Sequence, residues 1–454
     1  MKTNVKVKAA PVYTHEGAKA VRDTKAVELL RLVSSCYLWE NQFYESGNTQ
    51  FTRMRELVEA VATETVAAIA VYARTELNLR HVPLGIVLCM FLTERHKKSV
   101  SKVLPAVIQR PDEMGEFRAL LIKFGITKIP HQVKKGLAAA FNKFSQYQIS
   151  KYANAGGINL KRCLIVAHAK PKDEQQNQIF KNLLDGTLET ADTWETTMSA
   201  TGNTRENWER LLAEKKLGGM ALLRNLRNMQ DKGVPIATIA QAIKEMRTDR
   251  VLPYRFIAAA KYAPALLPQL EEAMLRSLSE YKKFTGHTVL MVDVSGSMDA
   301  LMSSNSDLRR LDAAYGLAII LKEMCEVVTI KTFSDGIVTV PSYRGFALSR
   351  AIDTSQWHRG TELIRALHDA GECDRLIVIT DEQANRDTQS ANKKFAEKQY
   401  MINVASNQYG VANETFWTRI YGFSEKITEF IAQQESGNSD SLLKYITEKY
   451  AQVI

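Results

Sequence analysis

After about residue 285 the chain changes its rhythm, and that change constrains the fold more than any other feature. The runs "HTVLMVDV", "EVVTIKTF", "GIVTVPSY", "DRLIVITD", "YMINVAS" and "TRIYGF" are short, apolar and rich in β-branched residues. Helical segments lie between them: "SDLRRLDAAYGLAIILKEMC", "GTELIRALHDAG", "QSANKKFAEK" and "SEKITEFIAQQ". Near-continuous apolar strands interleaved with helices predict a mostly parallel sheet covered on both faces. Residues 285–454 are therefore expected to form a doubly wound, Rossmann-like α/β domain. The runs "EVVTIKTF" and "GIVTVPSY", joined by Ser334-Asp335-Gly336, read instead as a hairpin with an edge strand.

Residues 1–284 are expected to form a separate, all-α domain. In "VAAIAVYARTEL", Val66, Ile69, Ala70, Ala73 and Leu77 recur at spacings of three and four. About ten segments behave this way, including one that runs from "AVELLRLVSS" through "CYLWENQFYES", and their breaks carry Gly, Pro, Asn or Asp. That many helices in one block suggest an α-solenoid of stacked pairs. No fixed sequence period is visible, so an irregular helical domain is the other reading.

Charge divides the chain at the same place. Residues 1–284 carry a net +15 and residues 285–454 a net −5. A basic helical part suits a polyanion, and an acidic α/β part does not. A solvated helical surface rich in lysine accounts for the same numbers. The five cysteines are far apart and form no CxxC pair, which points to a reducing cytoplasm. No apolar run approaches the roughly 18 residues needed to cross a bilayer, and the start has charges and a proline where a signal peptide would be apolar. The protein is expected to be cytoplasmic, with no membrane partner.

In open α/β sheets ligands bind beyond the carboxyl ends of the strands. The first strand ends in Asp293-Val294-Ser295-Gly296-Ser297, the loop "WHRGTELI" places Thr361 at the start of a helix, and "RLIVIT" ends in Asp381. Asp293, Ser295, Ser297, Thr361 and Asp381 make a hard-oxygen set suited to Mg²⁺ or a similar divalent cation. Hydroxyls add no charge, so the site has room for one further anion, such as a partner's carboxylate. The alternative is a set of ordinary polar strand ends with Thr361 as a helix N-cap; the order of the three pieces favours the metal. A hydrolase would need a general base or a second metal cluster, and the sequence offers no clear one. His358 is the histidine nearest these ligands apart from His287.

"DVSGS", "GT" and "TD", in that order, resemble the metal-ion-dependent adhesion site of von Willebrand factor type A domains, over about 287–430. The segments "YTHEGAKA", "LWENQFYESG", "LRHVPL", "GLAAAFNKFSQYQISKYA", "LKRCLIVAHAKPK" and "MALLRNLRNM" resemble the TROVE domain of Ro RNA-binding proteins, bacterial or phage form, over roughly 12–284. The same family places a type A domain directly after it. The resemblance implies HEAT-like repeats closed into a ring by the α/β domain, without catalysis. It implies binding of the single-stranded 3′ ends of misfolded or unprocessed noncoding RNA in a central hole. It also implies Y or Y-like RNA on the outer surface, work alongside an exoribonuclease, and a ring that one chain closes as a monomer.

Lys161, Arg162, His168, Lys170 and Lys172 crowd into one stretch, with Lys161, Ile165 and His168 at helical spacing. Such residues neutralise phosphates or stack on bases, or they are solvated helix-surface residues. The resemblance favours RNA for Lys161, His168 and Lys170. The family usually has an arginine where this chain has Ile165, which puts Y-RNA binding in question. Arg80 with His81, and Lys134 with Lys135, are further candidate contacts. Tyr147 and Tyr152 have rings for stacking, although aromatics at helical spacing are more often core; Arg224 and Arg227 form a candidate phosphate pair that helix-end salt bridges explain equally well. A second function class is a protein-interaction scaffold whose metal site captures a partner carboxylate.

Overall fold

The fold is that of a computed structural model. It describes residues 11–453 apart from 36–41, 43–44, 154–158, 249–250, 252, 279–282, 385–388, 406, 425 and 437–440. The chain divides into two compact units. One comprises Met1–Ser35, Asn41–Ser46 and Tyr281–Leu442, and the other Cys36–Glu40, Gly47–Glu280 and Leu443–Ile454. The break near residue 281 lies close to the expected one, but neither unit is continuous in sequence.

In the α/β unit the first described element is a two-stranded antiparallel ribbon, β1 (Val12–Tyr13) and β2 (Lys19–Ala20). The main sheet has six strands: β3 (Phe284–Asp293), β4 (Cys325–Phe333), β5 (Ile337–Val340), β6 (Arg375–Thr380), β7 (Lys398–Asn403) and β8 (Thr418–Tyr421). Their order is β5-β4-β3-β6-β7-β8. Every pair is parallel except β4–β5, an antiparallel hairpin with β5 at the edge. All six strand segments read from the sequence are strands. The helix expected over "QSANKKFAEK" is not formed. Only a 3-10 turn at Gln389–Ala391 appears, because Gln399 Oε1 accepts from the Phe395 and Ala396 amides, 2.8 and 3.3 Å away, and so replaces a helical ladder.

One face of this sheet packs a core that includes Val289, Met291, Leu376, Val378, Met401 and Trp417. Ala18 of the ribbon belongs to that core. The Thr14 hydroxyl donates to the Ala384 carbonyl at 2.9 Å. Asp23 is buried between two arginines, 2.7 Å from Arg31 and 2.6 Å from Arg419. Pairing over such separations leaves no local sequence signal, so the ribbon and the helix Lys25–Ser35 look in sequence like part of the helical block.

In the helical unit several helices stack on the next but one. Val100–Val107 packs on His131–Phe141, which packs on Leu160–Ala167; Gly219–Asp231 packs on Pro253–Tyr262, and Ile236–Glu245 on Leu267–Arg276. This is how successive pairs in a helical-repeat array bury their apolar faces. Starts are marked by side-chain caps at Ser145, Asn159, Asp173, Thr193 and Thr204. The helices outnumber the sequence reading, which missed His81–Leu92. Its residues Val82–Met90 are all buried, so it has no polar face and no amphipathic period. The long helix expected through "SSCYLWENQFYES" is described as Lys25–Ser35, and most of its remainder lies outside the described residues. The last helix, Leu442–Lys449, lies almost wholly in this unit, where Lys449 Nζ donates to Glu76 Oε1 at 2.6 Å. No helix among the described residues is long and apolar enough to cross a membrane.

Candidate metal centre and candidate nucleic-acid interface

β3 and β6 are neighbours in the sheet, with Val292 opposite Ile379. The chain leaves β3 toward β4 on one side and returns as β6 on the other. Their carboxyl ends therefore form the switch point at which open α/β sheets bind ligands. Asp293 ends β3, and Asp381 immediately follows β6. Both are wholly buried. The Ser295 amide donates to Asp293 Oδ1 at 2.9 Å, and the Thr380 hydroxyl to Asp293 Oδ2 at 2.6 Å. The Ser295 and Ser297 hydroxyls are 3.3 Å apart.

The third piece arrives on a tethered loop. The Gly296 amide donates to Arg359 O at 2.9 Å, and a Cβ at Gly296 would sit 3.4 Å from that carbonyl. The Ser334 hydroxyl donates to Gly360 O at 3.0 Å, while the Glu362 amide donates to Ser334 O at 2.9 Å. These bonds hold buried Thr361 beside the β3 loop. Thr361 is not the helix N-cap; Glu362 holds that position, before Leu363–His368. His358 bonds the Asp353 carbonyl through Nε2 at 3.0 Å. Glu382 takes a left-handed φ of 57° and turns into the fold, where Asn403 Nδ2 and the Ala412 amide donate to it at 2.6 and 3.0 Å.

The sequence reading missed one residue here. Arg310, the first residue of the helix Arg310–Met324, is buried and donates to Asp381 Oδ2 at 3.0 Å. Its Nη1 is also 3.4 Å from the Ser297 carbonyl. The clue was an arginine opening a helix whose remaining face is apolar. Met298 is core, and Asp299 pairs with Arg309 at 2.6 Å. Burial, with Asp381 beside it, pushes the Asp293 carboxyl up to about 7. Burial raises Asp381 too, against the opposing pull of Arg310. Asp381 thus meets an arginine, whereas among the described residues Asp293 is held by neutral donors. The donor chemistry fits a hard divalent cation. No group of three or more His, Cys, Asp or Glu among the described residues is placed to hold a metal ion by itself, so the hydroxyls are essential to any such site.

The candidate RNA contacts lie in the helical unit and are dispersed. Lys161 and Arg162 are exposed on the helix Leu160–Ala167, where Lys161 Nζ donates to the Leu184 carbonyl. His168 is not on that helix face. It caps the helix in a left-handed conformation, φ 53°, and is exposed, as is Lys170. Ile165 is 54% exposed. Lys135 is exposed and Lys134 half-buried on His131–Phe141. His81 opens its helix and is exposed, whereas Arg80 is clamped by Asp112 and Glu116. Arg80 lines a cavity of about 640 Å³ together with Tyr147, Tyr152 and Arg224. Neither tyrosine is core: Tyr147 is 57% exposed, and Tyr152 carries the Arg110 guanidinium 4.7 Å over its ring. Arg227 instead lies over Tyr262 and near Asp231.

Residues 186–309 match the family model of the TROVE domain. The structure is similar to the crystal structure of the Deinococcus radiodurans RO (RSR) protein, with a TM-score of 0.57 and 17% sequence identity. The similarity covers 92% of this chain and 100% of that one. At that identity the likeness concerns the fold. No curated protein matches the chain.

Proposed function

We propose, taking the chain as the bacterial Ro-family protein that its TROVE segment and its fold support, that it is a non-enzymatic RNA-binding protein acting in RNA quality control or processing. The observation that carries this reading is the TROVE match in a chain whose first 284 residues hold a net +15 and whose remainder is acidic. The ligand is a noncoding RNA with a free single-stranded 3′ end, held in the central hole of a ring, and an exoribonuclease is the expected partner. Y-like RNA would bind the outer surface through Lys161, His168 and Lys170, more weakly for having Ile165 among them. Filter binding tests the reading: a single-stranded 3′ tail should outcompete duplex, and affinity should fall steeply with salt as counterions are released. Equal binding of tailed and blunt RNA would sink it.

The α/β unit supplies the second part of the proposal. Asp293, Ser295, Ser297, Thr361 and Asp381 are the residues that would hold Mg²⁺. A bound divalent cation supplies a positive point that attracts a carboxylate. The chain's own residues fix the site: Thr380 and the Ser295 amide orient Asp293, Arg310 orients Asp381, and Ser334 fixes the loop that carries Thr361. Adding Mg²⁺ should raise the melting temperature of the wild type and leave Asp293→Ala unchanged. The protein-scaffold reading draws on the same site: Asp293→Ala would lose a protein partner while RNA affinity persists.

A further inference from the structure

The cavity beside Arg80 has the chemistry of a nucleotide site. Its volume, about 640 Å³, falls within the roughly 300–1,000 Å³ of small-ligand pockets. Six basic side chains line it against one carboxylate, Glu195. Their charges are not equally available. Arg80 and Arg110 are offset by Asp112, Lys216 by Asp192, and Lys151 lies 3.8 Å from Glu195. Arg224 is exposed and makes no ion pair with the described residues, so the uncompensated positive charge is concentrated at its end of the cavity.

That end also holds the start of the helix Gly219–Asp231. Its N-cap, Gly218, offers no side chain to the first amides, and such amides are ready anion donors. A Cβ at Gly218 would meet nothing within 4 Å, so the backbone there is open to a ligand. At Gly219 a Cβ would lie 2.6 Å from the Arg247 carbonyl. The missing side chain lets the 247 segment close on the helix start and brings Arg247 to the same lining. Tyr147 also lines the cavity, 57% exposed although it is a large aromatic. Trp194 also lines the wall and stacks on Trp208, with ring centroids 6.2 Å apart.

We infer that this cavity binds one unpaired nucleotide, its phosphate at Arg224 and the amides of the Gly219–Asp231 helix start, its base stacked on Tyr147. Aromatic stacking accepts any base, because every base has a π-face, so the site selects for being unpaired rather than for sequence. The nucleotide comes from a single strand of RNA, and in this the inference rests on the RNA-binding reading above.

The test uses the full chain, a labelled single-stranded oligoribonucleotide read by anisotropy, and adenosine monophosphate read by calorimetry. Tyr147→Ala and Arg224→Glu are compared with Lys232→Glu, a charge reversal at an exposed residue that does not line the cavity; melting curves confirm folding. The two cavity variants should each weaken single-strand binding about tenfold, and both should lose monophosphate binding. If the wild type binds the oligoribonucleotide and both cavity variants bind it as tightly, the nucleotide site is overturned while the RNA reading stands. If the wild type binds only the monophosphate, and the variants lose it, the site stands as a free-nucleotide pocket and the RNA reading falls. If the wild type binds neither, both fall.

Discussion

In the α/β unit the candidate ligands are buried, bonded to their neighbours and gathered at one end of the sheet. In the helical unit the candidate RNA contacts are mostly exposed, come from several helices and touch little. The difference follows from what each surface has to do. A small hard cation requires oxygens fixed in close quarters, and parallel neighbours in register bring two strand ends together without adjustment. A nucleic-acid backbone is met by point charges that keep their freedom and are worth most when solvated counterions leave. Substitutions in the first region should therefore be felt as stability, and in the second as affinity.

The sharpest test of that contrast is Arg310→Ala. It leaves Asp381 buried without its cation, and chemical denaturation should show a loss of about 3–5 kcal/mol, partly recovered by added Mg²⁺. An unchanged midpoint would remove Arg310 from the site. Arg74→Ala probes the helical unit at its own buried pair, where Arg74 meets Glu113 at 2.7 Å and the Val107 carbonyl at 3.1 Å. A loss of about 3 kcal/mol is expected, and it would show that burial, not the choice of unit, sets the energy.

A smaller effect is expected at Glu116. Burial, with Asp112 and Glu113 nearby, outweighs Arg80 and pushes its carboxyl up to about 7 from 4.5. Between those values the folded state holds more protons than the unfolded one, so stability should fall as pH rises through the window. Glu116→Gln should flatten the melting temperature over that range; a slope identical to the wild type would refute the assignment. The smallest change in stability is expected for Lys135→Ala, within about 0.5 kcal/mol. If Lys135 contacts phosphate, the slope of log affinity against log salt should drop by about 1.

The sheet was legible because strands buried on both faces write continuous apolar runs, and the DVSGS–GT–TD order lies at their ends. Arg310 was harder to read, since its one local mark is to open an apolar helix, and the carboxylate it meets lies 71 residues away. The fully buried helix His81–Leu92 carries no period to read. The Lys161–His168 face assumed that the helix continues, and the left-handed turn at His168 ends it. The cavity was hidden for another reason: Arg80 precedes one helix, and Tyr147 and Arg224 lie in two others, so no single stretch of sequence shows them together.

The burial of Asp23 against Arg419, 396 positions later, sets a timetable. At about 5–20 residues per second of synthesis, the ribbon and first helix wait roughly 20–80 s for the sheet that completes them. In that interval the helical segments emerge and can stack with near neighbours. The α/β unit thus closes late, and until then the nascent chain carries an acidic residue and two short strands that have nowhere to be buried.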